Sequence, residues 1–140
     1  MSVLAQISVG SLLLVLCTII HLGVVSRVLA VFRRHRPDMA ENRPMRDFFW
    51  LCLGVLAPLF SHTVQLYLWS FALFQIGALR GHESSIYFVL VSYTTLGYGD
   101  IILDPGFRIL GAMSSVTGII MFGITTAFLV AILGRGFLQR

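Results

Sequence analysis

An all-α membrane fold is what this sequence predicts: three spanning helices, one short helix that enters the bilayer and stops, and one extended segment. Three observations carry that expectation. Of 140 residues, 57% are hydrophobic and 11% charged, with a mean hydropathy of +0.89, which lies outside the range of soluble domains. Three long apolar runs each suffice to cross a bilayer, which takes about 20 residues. All ten basic residues are arginine, and most cluster after the first run or near the C-terminus. The pI of about 9.7 therefore reports membrane topology and gives no reason to expect a nucleic-acid partner.

The first unit, residues 1–32, carries no charge before Arg27, and its run over 12–30 predicts an N-terminal transmembrane helix. It lacks the basic start of a secretory signal, and Arg27 and Arg33 crowd the one small-residue stretch that resembles a cleavage site. An arginine-rich link over 33–46 follows, with Pro37 and Pro44 preventing one continuous helix. Residues 47–140 form the third unit. Its first helix is expected over 48–79, which as one helix measures roughly 48 Å and so must tilt or bend. Pro58, preceded by Gly54, is the expected place for a kink.

After a short polar turn at 80–83, residues 84–94 are too few to cross a membrane but suit a half-helix, with Ser84 or Ser85 as N-cap and Glu83 beside its positive end. An extended stretch over 95–100 comes next, and the last helix is expected over 109–133. Eight arginines (27, 33, 34, 36, 43, 46, 135 and 140) lie in or beside the link or near the C-terminus. The positive-inside rule then puts the link and C-terminus in the cytoplasm and the N-terminus outside.

Residues 94–100 read Thr-Thr-Leu-Gly-Tyr-Gly-Asp. Glycine and aspartate also suit an ordinary tight turn, but the threonines and leucine in front, and the position between membrane segments, favour something more specific. The heptapeptide resembles the selectivity filter of pore-loop potassium channels, and the resemblance covers roughly the last 90 residues, in the manner of a bacterial single-pore-domain channel with one extra N-terminal helix. It implies that Thr95, Leu96, Gly97 and Tyr98 offer oxygens to dehydrated K+, with Gly99 closing the outer end and Asp100 at the outer mouth. Glycine is needed at 97 and 99 because carbonyls that share one axis require alternate residues in conformations a Cβ disfavours. Leu96 and Tyr98 would wedge the loop from behind.

Two departures from the family pattern stand out. Leu96 occupies a position where valine is usual, and Val91 stands where some bacterial members carry a carboxylate.

The resemblance further implies a homotetramer in a bacterial inner membrane, bounded by lipid, with K+ as transported ion and no cofactor or small-molecule substrate. Non-helical backbone at membrane depth, tolerated only inside protein, independently argues for an oligomer. A weakly selective cation channel is the nearest alternative, which Tyr98 disfavours. A non-conducting accessory subunit of a larger channel or potassium uptake complex is another. No paired carboxylates, activated nucleophile or metal-ligand spacing suggests an enzyme.

Gly118 and Gly123 interrupt the last helix. Gly118 is a candidate gating hinge, with close packing as its competitor, and packing is the first expectation for Gly123. Thr117, Thr125 and Thr126 either line a polar cavity or bond to their own helix. His21 and His62 sit near mid-membrane, where ionisable groups attract suspicion, and antiparallel helices can bring them together as proton sensors. Neutral imidazoles bonded to Gln65, Thr63 or backbone are the quieter expectation. Cys17 and Cys52 lie at different depths and are expected as buried free thiols.

Overall fold

The computed structural model describes residues 1–35 and 44–137. Four helices account for most of them: α1 (Val3–His35), α2 (Pro44–Gln75), α3 (His82–Tyr93) and α4 (Arg108–Phe137). Three are long and apolar enough to cross a membrane, over Val3–Arg34, Phe48–Gln75 and Arg108–Ile132. At most 28% of the most apolar window of each is buried within the chain, so the remaining apolar surface requires lipid or further protein. α1 packs against both α2 and α4, and α3 lies against α2 and α4. The first helix is thus seated on its own chain.

The boundaries of α2 and α3 that differ from the sequence expectation have local causes. The helix expected over 48–79 starts at Pro44, whose fixed φ and missing N–H suit a first helical position. It stops at Gln75, because Gly77 takes φ 71° and closes the helix. There the Ala78 N–H donates to the Leu73 carbonyl and the Gly77 N–H to the Phe74 carbonyl, both at 3.0 Å, the paired bonds of a glycine-terminated helix. The short helix expected over 84–94 runs His82–Tyr93, and neither serine caps it.

Gly81, at φ 98°, is its N-cap without a side-chain bond, while the Ser85 hydroxyl donates back to the Gly81 carbonyl at 3.0 Å. Glu83 lies in the first turn as expected. The first helix, expected over 12–30 within a unit 1–32, continues to His35, and the last, expected over 109–133, spans Arg108–Phe137. Of the link 33–46, residues 36–43 lie outside the described residues, as do the expectations for Pro37, Arg36, Arg43 and Arg140. Pro58 is buried inside α2.

Two buried clusters hold the bundle. One gathers Cys17, Trp69, Leu73, Val89, Tyr93, Leu103 and Leu110 around α3. The other joins Val25 and Val28 of α1 to Phe128 and Ile132 of α4. Both cysteines are free, Cys17 buried and Cys52 only partly so.

A polar clasp locks the other end of α1. The Gln6 side chain, 2% exposed, accepts the Ile109 N–H at 3.1 Å and the Leu110 N–H at 3.4 Å. These are two of the N–H groups that a helix start leaves without an intrahelical partner, so the first turn of the chain caps α4. Gly10 makes the close approach possible, because a Cβ there would fall on the Met113 sulfur.

Candidate functional site

The short helix α3 ends level with the middle of its neighbours. Tyr93, its last residue, is fully buried and meets His62 and Gln65 of α2 and Gly118 of α4. From there residues 94–107 return to the N-terminus of α4, beside Gln6. The segment that carries the sequence motif therefore begins deep in the bundle and rises to the end at which α4 starts.

Its backbone alternates. Thr95, Gly97 and Gly99 have φ of 60°, 59° and 77°, and among the described residues Thr95 is the one non-glycine with positive φ. For the two glycines this conformation carries little steric cost. Thr95 is different, because a β-branched residue in that region is a genuine outlier.

The helix end explains it. The Leu96 N–H donates to the Val91 carbonyl and the Thr95 N–H to the Ser92 carbonyl, both at 2.9 Å. This is the same closure that ends α2, with threonine in the place where Gly77 serves there. The Gly97 N–H also reaches the Val91 carbonyl, at 3.2 Å.

Among the described residues, no donor of the chain reaches the carbonyl oxygens of residues 95–99. Leu96 and Tyr98 are 55% and 67% exposed, so within one chain nothing covers the side chains expected to brace the loop. Val91, in place of a carboxylate, is buried.

At the outer end, Tyr87 of α3 donates its hydroxyl to Asp100 Oδ2 at 2.6 Å. That bond is the main reason the Asp100 carboxyl is held below the usual carboxylate range, since it stabilises the charged form. A depressed pKa means that the negative charge is present above the ordinary carboxylate pKa and is lost only when pH falls through the lowered value. Tyr87→Phe is therefore expected to make Asp100 titrate at higher pH. The check is the carboxyl 13C shift of labelled Asp100 in wild type and variant as the solution is acidified through about pH 4.

Gly118 and Gly123 of α4 differ in what surrounds them. A Cβ at Gly118 would fall on the Tyr93 carbonyl, whereas one at Gly123 meets nothing within 4 Å. Gly118 is thus required where α3 ends against α4, and Gly123, exposed, makes no close approach within the chain. The Thr117 and Thr126 hydroxyls donate to their own helix, to the Met113 and Phe122 carbonyls at 2.9 Å each. Thr125 turns inward instead.

His21 and His62 come together, with ring centroids 5.0 Å apart. His21 Nδ1 is 3.0 Å from Ser61 Oγ and 3.2 Å from Gln65 Nε2. Its Nε2 is 3.1 Å from Thr125 Oγ1. His62 lies between Thr125 Oγ1 at 2.9 Å and the Tyr93 hydroxyl at 3.0 Å, and Phe122 stacks on its ring with centroids 4.6 Å apart. Gln65 is a partner as expected, but Thr63 bonds its own helix at the Leu59 carbonyl. Thr125, Ser61 and Tyr93 complete a set that depth in the membrane alone did not reveal, because their approach depends on how α2, α3 and α4 cross.

No curated protein and no solved structure matches the chain. A family model described as "Ion channel" matches residues 48–135, which takes in α2, α3, the extended segment and α4 up to residue 135 and amounts to more than half of the sequence. Three apolar helices around a segment of unsatisfied backbone accord with that match, and the protein is an integral membrane member of the ion channel family.

Proposed function

We propose that the chain is one quarter of a potassium-selective channel, in which residues 95–99 of four copies surround a common axis. The observation that carries the reading is the alternation of positive φ at Thr95, Gly97 and Gly99 along a stretch whose carbonyls meet no donor among the described residues. Alternate left- and right-handed residues turn successive peptide planes the same way, so their oxygens share one side. A row of such oxygens, repeated around an axis, replaces the hydration shell of a monovalent cation. Thr95, Leu96, Gly97 and Tyr98 supply it, Gly99 ends it, and Asp100 gathers cations at the mouth.

Fourfold assembly answers two needs at once. It covers Leu96 and Tyr98, and it encloses backbone that lipid cannot solvate. The arginine asymmetry sets the orientation in a bacterial inner membrane, with Asp100 and the N-terminus outside and the C-terminus in the cytoplasm. Passive K+ flow needs no cofactor, so the transported ion is the one ligand of the pathway.

The test is the reversal potential of purified protein in liposomes with potassium on one side and sodium on the other. A value near the potassium equilibrium potential is expected. A value near zero identifies a weakly selective cation channel, and the absence of current from the protein alone identifies an accessory subunit.

A further inference from the structure

The polar groups around the two histidines close into a ring that draws on all four helices. Tyr93 donates its hydroxyl to Gln65 Oε1 at 3.0 Å, so its oxygen must accept from His62, which fixes the proton of His62 on Nδ1. His62 Nε2 then accepts from the Thr125 hydroxyl. Thr125 in turn accepts from His21 Nε2, and His21 Nδ1 accepts from the Gln65 amide. Ser61 supports the last link, taking the second Gln65 hydrogen at 3.2 Å.

Every member donates once around the circle, and both imidazoles are neutral. Turning the Gln65 amide over reverses every bond and exchanges the two tautomers. They remain neutral, and they remain opposite.

An added proton ends this circular order. A charged His62 would present Nε2–H to Thr125, which then accepts from both imidazoles while its own hydroxyl leaves the ring. A charged His21 would present Nδ1–H to Ser61 or to a turned Gln65 oxygen, with the same consequence at Thr125. Either event removes one donor from the cycle and places a charge among apolar helices.

The remaining titratable groups facing the rings are Tyr93 from α3 and Cys17 from α1, which sits in the cluster around Tyr93. α4 presents Thr125 and Phe122, and α2 adds only Ser61 and Gln65 to His62. Among the described residues no carboxylate or guanidinium bonds to either imidazole. A ring distance of 5.0 Å also makes a second charge strongly unfavourable once the first is present.

We propose that this ring is a proton-binding site that positions the inner end of the 95–99 segment, and that one proton per chain releases it and reduces conduction. The coupling is short. Tyr93 is both a ring member and the residue whose carbonyl rests on Gly118, two positions before Thr95. The proposal rests on reading residues 95–99 as the conducting segment, and its two measurements separate the ideas.

In bilayers, 15N-histidine-labelled protein at neutral pH is expected to show one Nδ1–H and one Nε2–H imidazole for His21 and His62, with His21→Gln and His62→Gln supplying the assignment. Matching tautomers, or a charged ring at neutral pH, overturn the proposal. Potassium current of the wild type is expected to fall as pH is lowered from about 8 to about 4, by at least about tenfold per unit well below the midpoint, the value for one proton and the lower bound for four chains that bind one each. His62→Gln and His21→Gln are expected to flatten that curve. Tyr93→Phe opens the ring without touching an imidazole, so it is expected to give a low current that acid no longer changes. Superimposable curves for wild type and both histidine variants overturn the proposal. The reading of residues 95–99 fails on a different result, a reversal potential near zero, which leaves the tautomers unaffected.

Discussion

Gly118→Ala is expected to abolish cation flux and lower thermal stability, while Gly123→Ala leaves flux near that of the wild type and raises thermal stability slightly. Two effects oppose each other at each position. Alanine is favoured over glycine within a helix by about 1 kcal/mol, and at Gly123, where nothing lies within 4 Å of an added Cβ, that gain stands alone. At Gly118 the added carbon falls on the Tyr93 carbonyl, with the ring carbon Cδ1 behind it at 3.1 Å.

Overpacking typically costs about 1–3 kcal/mol when side chains can yield. Here the obstacle is backbone, at the last turn of α3, and it is tied to residues 95–99 by the closure through Ser92 and Val91. Overlap therefore wins, and the displacement is carried to residues 95–99. Thermal unfolding and liposome flux measured on both variants make the check. A Gly118→Ala protein of wild-type stability that merely opens less often would favour bending at Gly118 over this contact.

Gly97→Ala is expected to eliminate potassium-selective flux while leaving helix content unchanged. A left-handed conformation costs a residue with a Cβ about 1–2 kcal/mol. Thr95 already bears such a cost at φ 60°, so an alanine at 97 adds a second to each chain. In the proposed fourfold assembly the added cost comes to about 4–8 kcal/mol, since all four copies must hold the conformation together. That corresponds to a loss of roughly three powers of ten or more in the conducting population. Stopped-flow thallium flux into liposomes, with circular dichroism as the control, reads both quantities. Flux within a few fold of wild type would contradict the assignment of Gly97 to an alternating, ion-facing backbone.

What the sequence made legible follows a simple rule of range. Signals carried by runs of neighbouring residues came through: the three apolar stretches, a short helix between the second and third of them, and the glycines at 97 and 99, both of which have positive φ. Single-residue punctuation was harder. Gly77 ends α2 before the polar turn that marks it in the sequence, and Gly81 replaces the expected serine caps, because hydropathy is blind to one backbone angle inside an apolar stretch. Thr95 gave no signal, since nothing about threonine announces a left-handed residue.

Long-range pairings were the least visible. His21 and His62 were conspicuous for their depth, but Tyr93 and Thr125 became their partners only through the crossing of α2, α3 and α4. The competing uses of Gly118 and Gly123 turned on the same crossing, which places the end of α3 over one glycine and misses the other.

The clasp between Gln6 and the start of α4 has a consequence for biogenesis. The amides it binds lie 103 and 104 residues further along the chain, so α1 reaches the bilayer well before the groups it must hold have been synthesised. Until then a buried-to-be amide side chain waits near the lipid interface, and α1 is not fully seated before α4 arrives. Maturation of the bundle is thereby timed by the emergence of α4.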